Sequence, residues 1–258
     1  MRCAAASSRR SSTSSSDRTG KHAPPASALF ERLPGEALLG RFFAGPTLAL
    51  DIGGRTAWAA GHANPEELAS FLNFCGCRAV ILDEAECPPP VGWQKTCDHT
   101  IFGLAAGEQL PLPAQTEAQK ALWDSLTFVE DPASGPVAEN LFPDRPARRD
   151  DFYSELCTKR SRGKALVWTL EQGGNIVCTV GAYALCNGQA YMACGQTAEA
   201  LRGQRVGGRL IVQMANALSA QGDQPVFLCS PERVHFYTQL GFHPLGTLAR
   251  YESPIGKD

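Results

Sequence analysis

Between residues 164 and 197 three β-rich runs follow one another with only turn pairs between them, and few folds can accommodate that pattern. The runs are Lys164 to Glu171, Asn175 to Cys186 and Gln189 to Thr197, joined at Gly173-Gly174 and Asn187-Gly188. Such pairs supply the positive φ angles that a two-residue turn requires, so three consecutive antiparallel strands are expected. Beyond them Val206, Leu210, Met214 and Leu218 recur every four residues, the spacing of a buried helix face, to about Ala220. Pro225 to Cys229 reads as a short strand. Ser230-Pro231-Glu232 then opens a second helix, with Ser to cap a free N–H and Pro at the first helical position, and Gly241 stops it. The order β-β-β-α-β-α-β predicts an α/β (α+β) unit built on a central, mostly antiparallel sheet flanked by helices.

The first half is less regular. Thr47 to Asp51 and Arg55 to Ala60 flank Gly53-Gly54, a hairpin signal. Asn64-Pro65-Glu66-Glu67 starts a helix that carries Leu68, Phe71, Leu72 and Cys75 on one face and stops at Gly76; Arg78 to Asp83 follows as a buried strand. Pro88-Pro89-Pro90 and the stretch 131–146, with Pro132, Pro136, Pro143 and Pro146, read as loop and linker. These signals divide the chain into a tail at 1–28, a smaller α/β domain at 29–130 and a second domain at 131–258. The tail holds Arg2, Arg9, Arg10, Arg18 and Lys21 against Asp17 alone, is Ser-rich and has almost no large apolar residue, so it cannot fold alone. A disordered extension and an organellar transit peptide both fit that composition.

Composition narrows the function classes. With 24 Lys and Arg against 26 Asp and Glu the net charge is -2, and no global positive field exists to hold nucleic acid. No apolar run approaches the roughly 18 to 20 residues of a spanning helix, so no membrane partner is expected. The ten cysteines belong to a long chain without a signal peptide, which points to free thiols in a reducing cytoplasm. Cys75, Cys77, Cys87 and Cys97, with His99 close behind, have gaps of one, nine and nine residues, which do not match structural zinc, and no metal is expected. Oligomeric state is not encoded in these features.

The chemistry-bearing stretch lies where the third strand runs into the long helix. Gly195-Gln196-Thr197 is followed by Arg202-Gly203-Gln204-Arg205-Val206-Gly207-Gly208, and a strand feeding a glycine-bearing helix start aims free N–H groups and the positive helix end at one point, where phosphate binds. Here the chain resembles the GNAT superfamily of acyl-coenzyme A dependent N-acyltransferases. Their signature is Arg or Gln, two residues, Gly, one residue, Gly or Ala; Arg202 and Gly207 match it, and Arg205 stands at the first Gly. Phe236-Tyr237-Thr238-Gln239-Leu240-Gly241-Phe242 matches the aromatic pair and Gly-Phe ending that these proteins carry after the next strand. The resemblance covers about residues 150 to 258; the hairpin, helix and strand of the first half are readable as a degenerate copy of the same core.

The resemblance implies acetyl-coenzyme A as cosubstrate, held by Gly195, Thr197, Arg202, Gly203, Gln204, Arg205, Val206, Gly207, Gly208 and Tyr237. It implies acetyl transfer to a primary amine by direct attack. An amine with pKa about 10.4 is almost wholly protonated at pH 7 and needs a base, which the sequence does not identify. Tyr237 is the catalytic candidate, as proton donor to the leaving thiolate; Val234, Tyr237 and Leu240 share a helix face, so a core aromatic is the competing reading. Arg205 and Arg209 read either as solvated helix residues or as positive charge beside the phosphates, and Glu199 as solvated surface. Because a side chain resists left-handed geometry by about 1 to 2 kcal/mol, Arg205 in a glycine's place keeps a second class open, a module that binds acyl-coenzyme A without turnover. The acceptor, whether small amine, peptide terminus, lysine or antibiotic, is not written in these residues.

Overall fold

The structure is a computed structural model that describes residues 41–45 and 47–254; the tail expected at 1–28 and the start of the domain expected at 29–130 lie outside the described residues. The elements run β1 (Arg41–Ala44), β2 (Leu48–Gly53), β3 (Thr56–Gly61), α1 (Pro65–Phe74), β4 (Ala79–Leu82), β5 (Gln94–Gly103), α2 (Glu117–Asp124), β6 (Thr127–Val129), α3 (Ser134–Leu141), α4 (Pro146–Ser161), β7 (Leu166–Gln172), β8 (Asn175–Cys186), β9 (Gln189–Thr197), α5 (Val206–Ala220), β10 (Gln224–Cys229), α6 (Val234–Gln239) and β11 (His243–Glu252). The fold is α+β with a central, mostly antiparallel sheet, and the order β7-β8-β9-α5-β10-α6-β11 is the one the sequence specifies.

Local chemistry sets the boundaries. Asn64 Oδ1 accepts from the amides of Glu66 and Glu67 at 2.9 and 3.2 Å, starting α1, which buries Leu68, Ala69 and Leu72. The stretch expected to be linker at 131–146 instead carries α3. Its Pro136 falls in the first turn, where a missing N–H costs nothing, and Val137 and Ala138 are buried, so packing overrides the proline content. Five further elements were not anticipated: β1, β5, α2, β6 and α4.

All strands join one 11-stranded sheet in the order β1-β2-β3-β4-β11-β5-β10-β9-β8-β7-β6. The expected units at 29–130 and 131–258 therefore exchange strands. β5, from the first half, lies between β10 and β11, and β11, from the second, lies between β4 and β5. Outward from the β5–β11 pair both wings read alike: an antiparallel neighbour, then a parallel one across a helix, then an antiparallel one. The parallel crossovers run through α1 on one wing and α5 on the other.

Strand alternation separates the two faces of the sheet. On one face Phe102, Phe227, Met192 and Ala182 pack under α5 with Val206, Leu210 and Met214, while Ala249, Val80 and Leu82 pack under α1. On the other face α3 and α4 cover β7 to β9 through Val137, Ala138, Phe152, Leu156, Val167 and Tyr183. Beside them, Ile81, Ile101 and Leu248 cluster with Trp58, Leu228 and Leu245, every one a strand residue.

Candidate functional site

β9 and β10 are paired only from Gln189 to Tyr191 against Gln224 to Val226, and then they splay apart. A bulge helps to turn β9: Thr179 opposes Gln196 and Gly181 opposes Ala193, so Cys194 and Gly195 share one position, and Cys194 takes the left-handed φ of 52° that the bulge demands. Beyond Tyr191 the β9 main chain has β8 on one side and an open cleft on the other. Main-chain N–H and C=O groups that face a cleft are ready to bind an extended polar ligand.

The N-terminus of α5 opens onto the same cleft. The amides of Val206, Gly207 and Gly208 precede the first intrahelical bond, from Arg209 N to Arg205 O at 3.1 Å, and no side chain caps them. Gly207 lies against β9 so closely that a Cβ there would come within 2.4 Å of Thr197 Oγ1. Gly208 is buried against Leu240 and Phe236 of α6, so two glycines let α5 settle on strand and helix at once. Arg205 adopts the left-handed conformation, φ 61° and ψ 7°, and its guanidinium donates to the carbonyl of Ala114 at 2.9 Å. The side chain of Arg209 lies over the Trp123 ring, 5.0 Å from its centroid.

Two cavities occupy the cleft. The first, about 630 Å³, is lined by Gly195, Thr197, Arg202, Gly207, Phe236 and Tyr237 among others; the second, about 470 Å³, shares Gly195, Ile211, Arg233 and Tyr237 with it and extends to Trp58, His99 and Arg250. Of the residues singled out from sequence, Gly195, Thr197, Arg202, Gly207 and Tyr237 are thus brought together. Arg202 Nε also donates to Thr197 O at 3.3 Å, tying the turn to the strand end. Gly203, Gln204 and Arg205 are exposed on the turn beside the cavity, whereas Val206 is buried in the core at 1 % exposure. Glu199 is exposed in a 3-10 turn, Glu199–Leu201.

Tyr237 sits among aromatics, 4.5 Å from the Phe227 ring centroid, 5.0 Å from Phe236 and 6.0 Å from Phe102. Burial raises its phenol above the ordinary pKa and the hydrogen-bonded, cationic Arg233 pulls it partly back, so the hydroxyl stays protonated at neutral pH. Ser230 does not cap the helix as the sequence suggests. Its hydroxyl donates to the Glu232 carboxylate instead, and a 3-10 turn, Pro231–Arg233, precedes α6. Sequence reasoning did not assign Arg233 or Ile211 to the site and named Phe236 only as half of the aromatic pair; what β3, β4, β5 and β11 bring to the second cavity it missed because strand exchange leaves no local signal. Among the described residues no group of three or more His, Cys, Asp or Glu is gathered as a metal ion needs, and no described helix is long and apolar enough to cross a membrane.

The chain has the fold of the GCN5-related N-acetyltransferases. A "GCN5-related N-acetyltransferase from Kribbella flavida" superposes with a TM-score of 0.61 at 16% identity, over 90% of this chain and 96% of that one. A GCN5-related N-acetyltransferase-like protein from Streptococcus suis gives 0.54 at 16% identity, over 88% and 96%. A tandem GNAT protein from the clavulanic acid biosynthesis pathway gives 0.53 at 12% identity, over 82% and 79%. No protein-family model and no curated protein sequence matches the chain.

Proposed function

We propose that the protein is an N-acetyltransferase that transfers an acetyl group from acetyl-coenzyme A to a primary amine, with the first half acting as a degenerate copy of the same core that has kept strands but no phosphate-binding turn. The observation that carries this reading is the convergence, in one cleft, of the splayed β9 edge, the uncapped α5 amides and Tyr237. The residues fit the cosubstrate. The amides of Val206, Gly207 and Gly208 offer N–H donors and the positive helix end to a pyrophosphate, and Gly207 keeps that approach free of side chain. The β9 edge at Gly195 and Thr197 offers main-chain partners to an extended pantetheine arm, and an N–H there can polarise the acyl carbonyl. Tyr237, held protonated by its surroundings, is placed to give its proton to the departing thiolate.

The reading as a binding module without turnover rests on Arg205 in a glycine's place; Arg205 adopts the left-handed conformation there, with its guanidinium bonded to the Ala114 carbonyl. Thiol release from acetyl-coenzyme A across a panel of amines, run beside calorimetric binding of the cosubstrate, tests the choice. Release with at least one amine is expected; binding without release on any of them would establish the module, and neither binding nor release would overturn both.

A further inference from the structure

The second cavity leads away from α5. On β5 the even-numbered residues face the helices, since Phe102 packs under α5 and Asp98 opposes Ala249 of the α1 cluster; His99 and Ile101 therefore point to the other face. Leu248 opposes His99, Arg250 opposes Ile81, and Ile81 opposes Trp58, so these side chains share that face. The strand cluster of Ile81, Ile101 and Leu248 lies there with Trp58 and Leu228, and no described helix contributes to it. The cavity joins this face to Tyr237 through the gap between β9 and β10.

Resting on the acyltransferase reading, we infer that the acceptor is a primary amine with an apolar body that enters by this face, lies against Trp58, Ile81 and Leu228, and gives its proton to His99. His99 is half-buried in the cavity wall. Its ring donates to the main-chain carbonyl of Cys229, and Nε2 is 3.6 Å from Cys97 Sγ, a long sulfur hydrogen bond that an incoming ammonium can displace. Burial lowers its pKa and Arg250 on β11 adds to that; Glu232 after β10 and Asp98 on β5 oppose them. The net direction is down from about 6.5, so the neutral ring predominates at pH 7. Glu232, exposed at the cavity rim, supplies negative charge to draw an ammonium ion in.

The step balances. The ammonium ion first gives one proton to His99, which releases it to solvent, and the neutral nitrogen then bonds to the acyl carbon as the carbon–sulfur bond breaks. Tyr237 supplies a proton to the thiolate, and the second N–H proton passes through solvent to Tyr237, leaving amide, free thiol and one proton in solvent.

The test uses the full chain with acetyl-coenzyme A and two nucleophiles, 2-phenylethylamine, which is mostly protonated at pH 7.5, and hydroxylamine, which is already neutral. Wild-type protein is expected to acetylate both. His99→Gln is expected to lose about 100-fold with 2-phenylethylamine, within the range a general base contributes, and less than about threefold with hydroxylamine. The wild-type rate with 2-phenylethylamine is expected to show an acidic limb below pH 6.5 that His99→Gln removes. Equal losses with both nucleophiles, or none, would overturn His99 as the base while acetyl transfer stands. Transfer to hydroxylamine alone would overturn the apolar acceptor. Transfer to neither would overturn the acyltransferase reading itself.

Discussion

Tyr237 combines a packing position and a cavity position, and the two separate by substitution. Tyr237→Phe keeps the ring contacts to Phe227, Phe236 and Phe102 and removes only the hydroxyl and its bond to Arg233. Turnover is expected to fall by about 10- to 1,000-fold, in or just below the range of a positioned general acid, with cosubstrate affinity nearly unchanged. Unchanged turnover, with chemistry shown to limit the rate, would make the residue a packing aromatic and water the proton donor. Gln204 tests the other end of the cleft. It is exposed on the turn before α5, so Gln204→Glu adds a negative charge near the place proposed for pyrophosphate without disturbing packing. Weaker binding of acetyl-coenzyme A at low ionic strength is expected, recovering as salt screens the repulsion; equal affinity at low and high salt would move the pyrophosphate elsewhere. A charge at Gly207 would be a poorer test, because any Cβ there meets Thr197 first.

That contact belongs to the scale of elements, since it sets how deeply α5 sits on β9. Gly207→Ala is expected to cost about 1 to 3 kcal/mol, the usual range for overpacking, read from denaturant melts. Thr197→Ala removes Oγ1, so in that background the cost should shrink by about 1 kcal/mol or more, the size of coupling expected for residues in contact. Additive effects would show that α5 shifts freely. The same scale decides what the sequence could reveal. β7 to β10, α5 and α1 were legible because their signals are local: turn pairs, a four-residue repeat, and Asn64 before Pro65. α2 had an equally local signal that was passed over, the capping box in which Thr116 Oγ1 accepts from Gln119 N at 3.3 Å and Gln119 returns the bond to Thr116 N. β5 was hidden for a different reason. Gln94 to Asp98 is polar and largely exposed, and only Ile101 and Phe102 look like core, because its place is decided by partners far away in sequence. Hence the cosubstrate side of the cleft, built from one continuous stretch, was readable, and the side reached by His99, Trp58 and Arg250 was not.

At the scale of the whole molecule the exchanged strands make the halves interdependent. Without β5, β10 loses its antiparallel neighbour and Phe227 loses the Phe102 ring stacked at 5.9 Å. The fragment 131–258 alone is therefore expected to be insoluble or to lack a cooperative melt, and the fragment 29–130 supplied with it to restore one; a stable, cooperative 131–258 would refute the interdependence. The intact protein carries a pH signature as well. Burial pushes the thiols of Cys87, Cys178 and Cys194 up to about 11. An unfolded chain ionises them near 8.5, so the unfolded state loses protons first and stability must fall as pH rises from about 8.5 to 11. Thermal midpoints are expected to hold steady from pH 7 to 8 and to decline above that; a midpoint that rises through this window would contradict the burial of these groups.

The central pair also imposes a timetable. β4 and β5 leave the ribosome long before β11, which ends at Glu252, about 150 residues behind Gly103. At roughly 5 to 20 residues per second that interval lasts about 8 to 30 s. Throughout it the nascent chain presents two strands whose shared partner has not yet been made, and a cell that makes this protein must shield their edges until the last strand arrives.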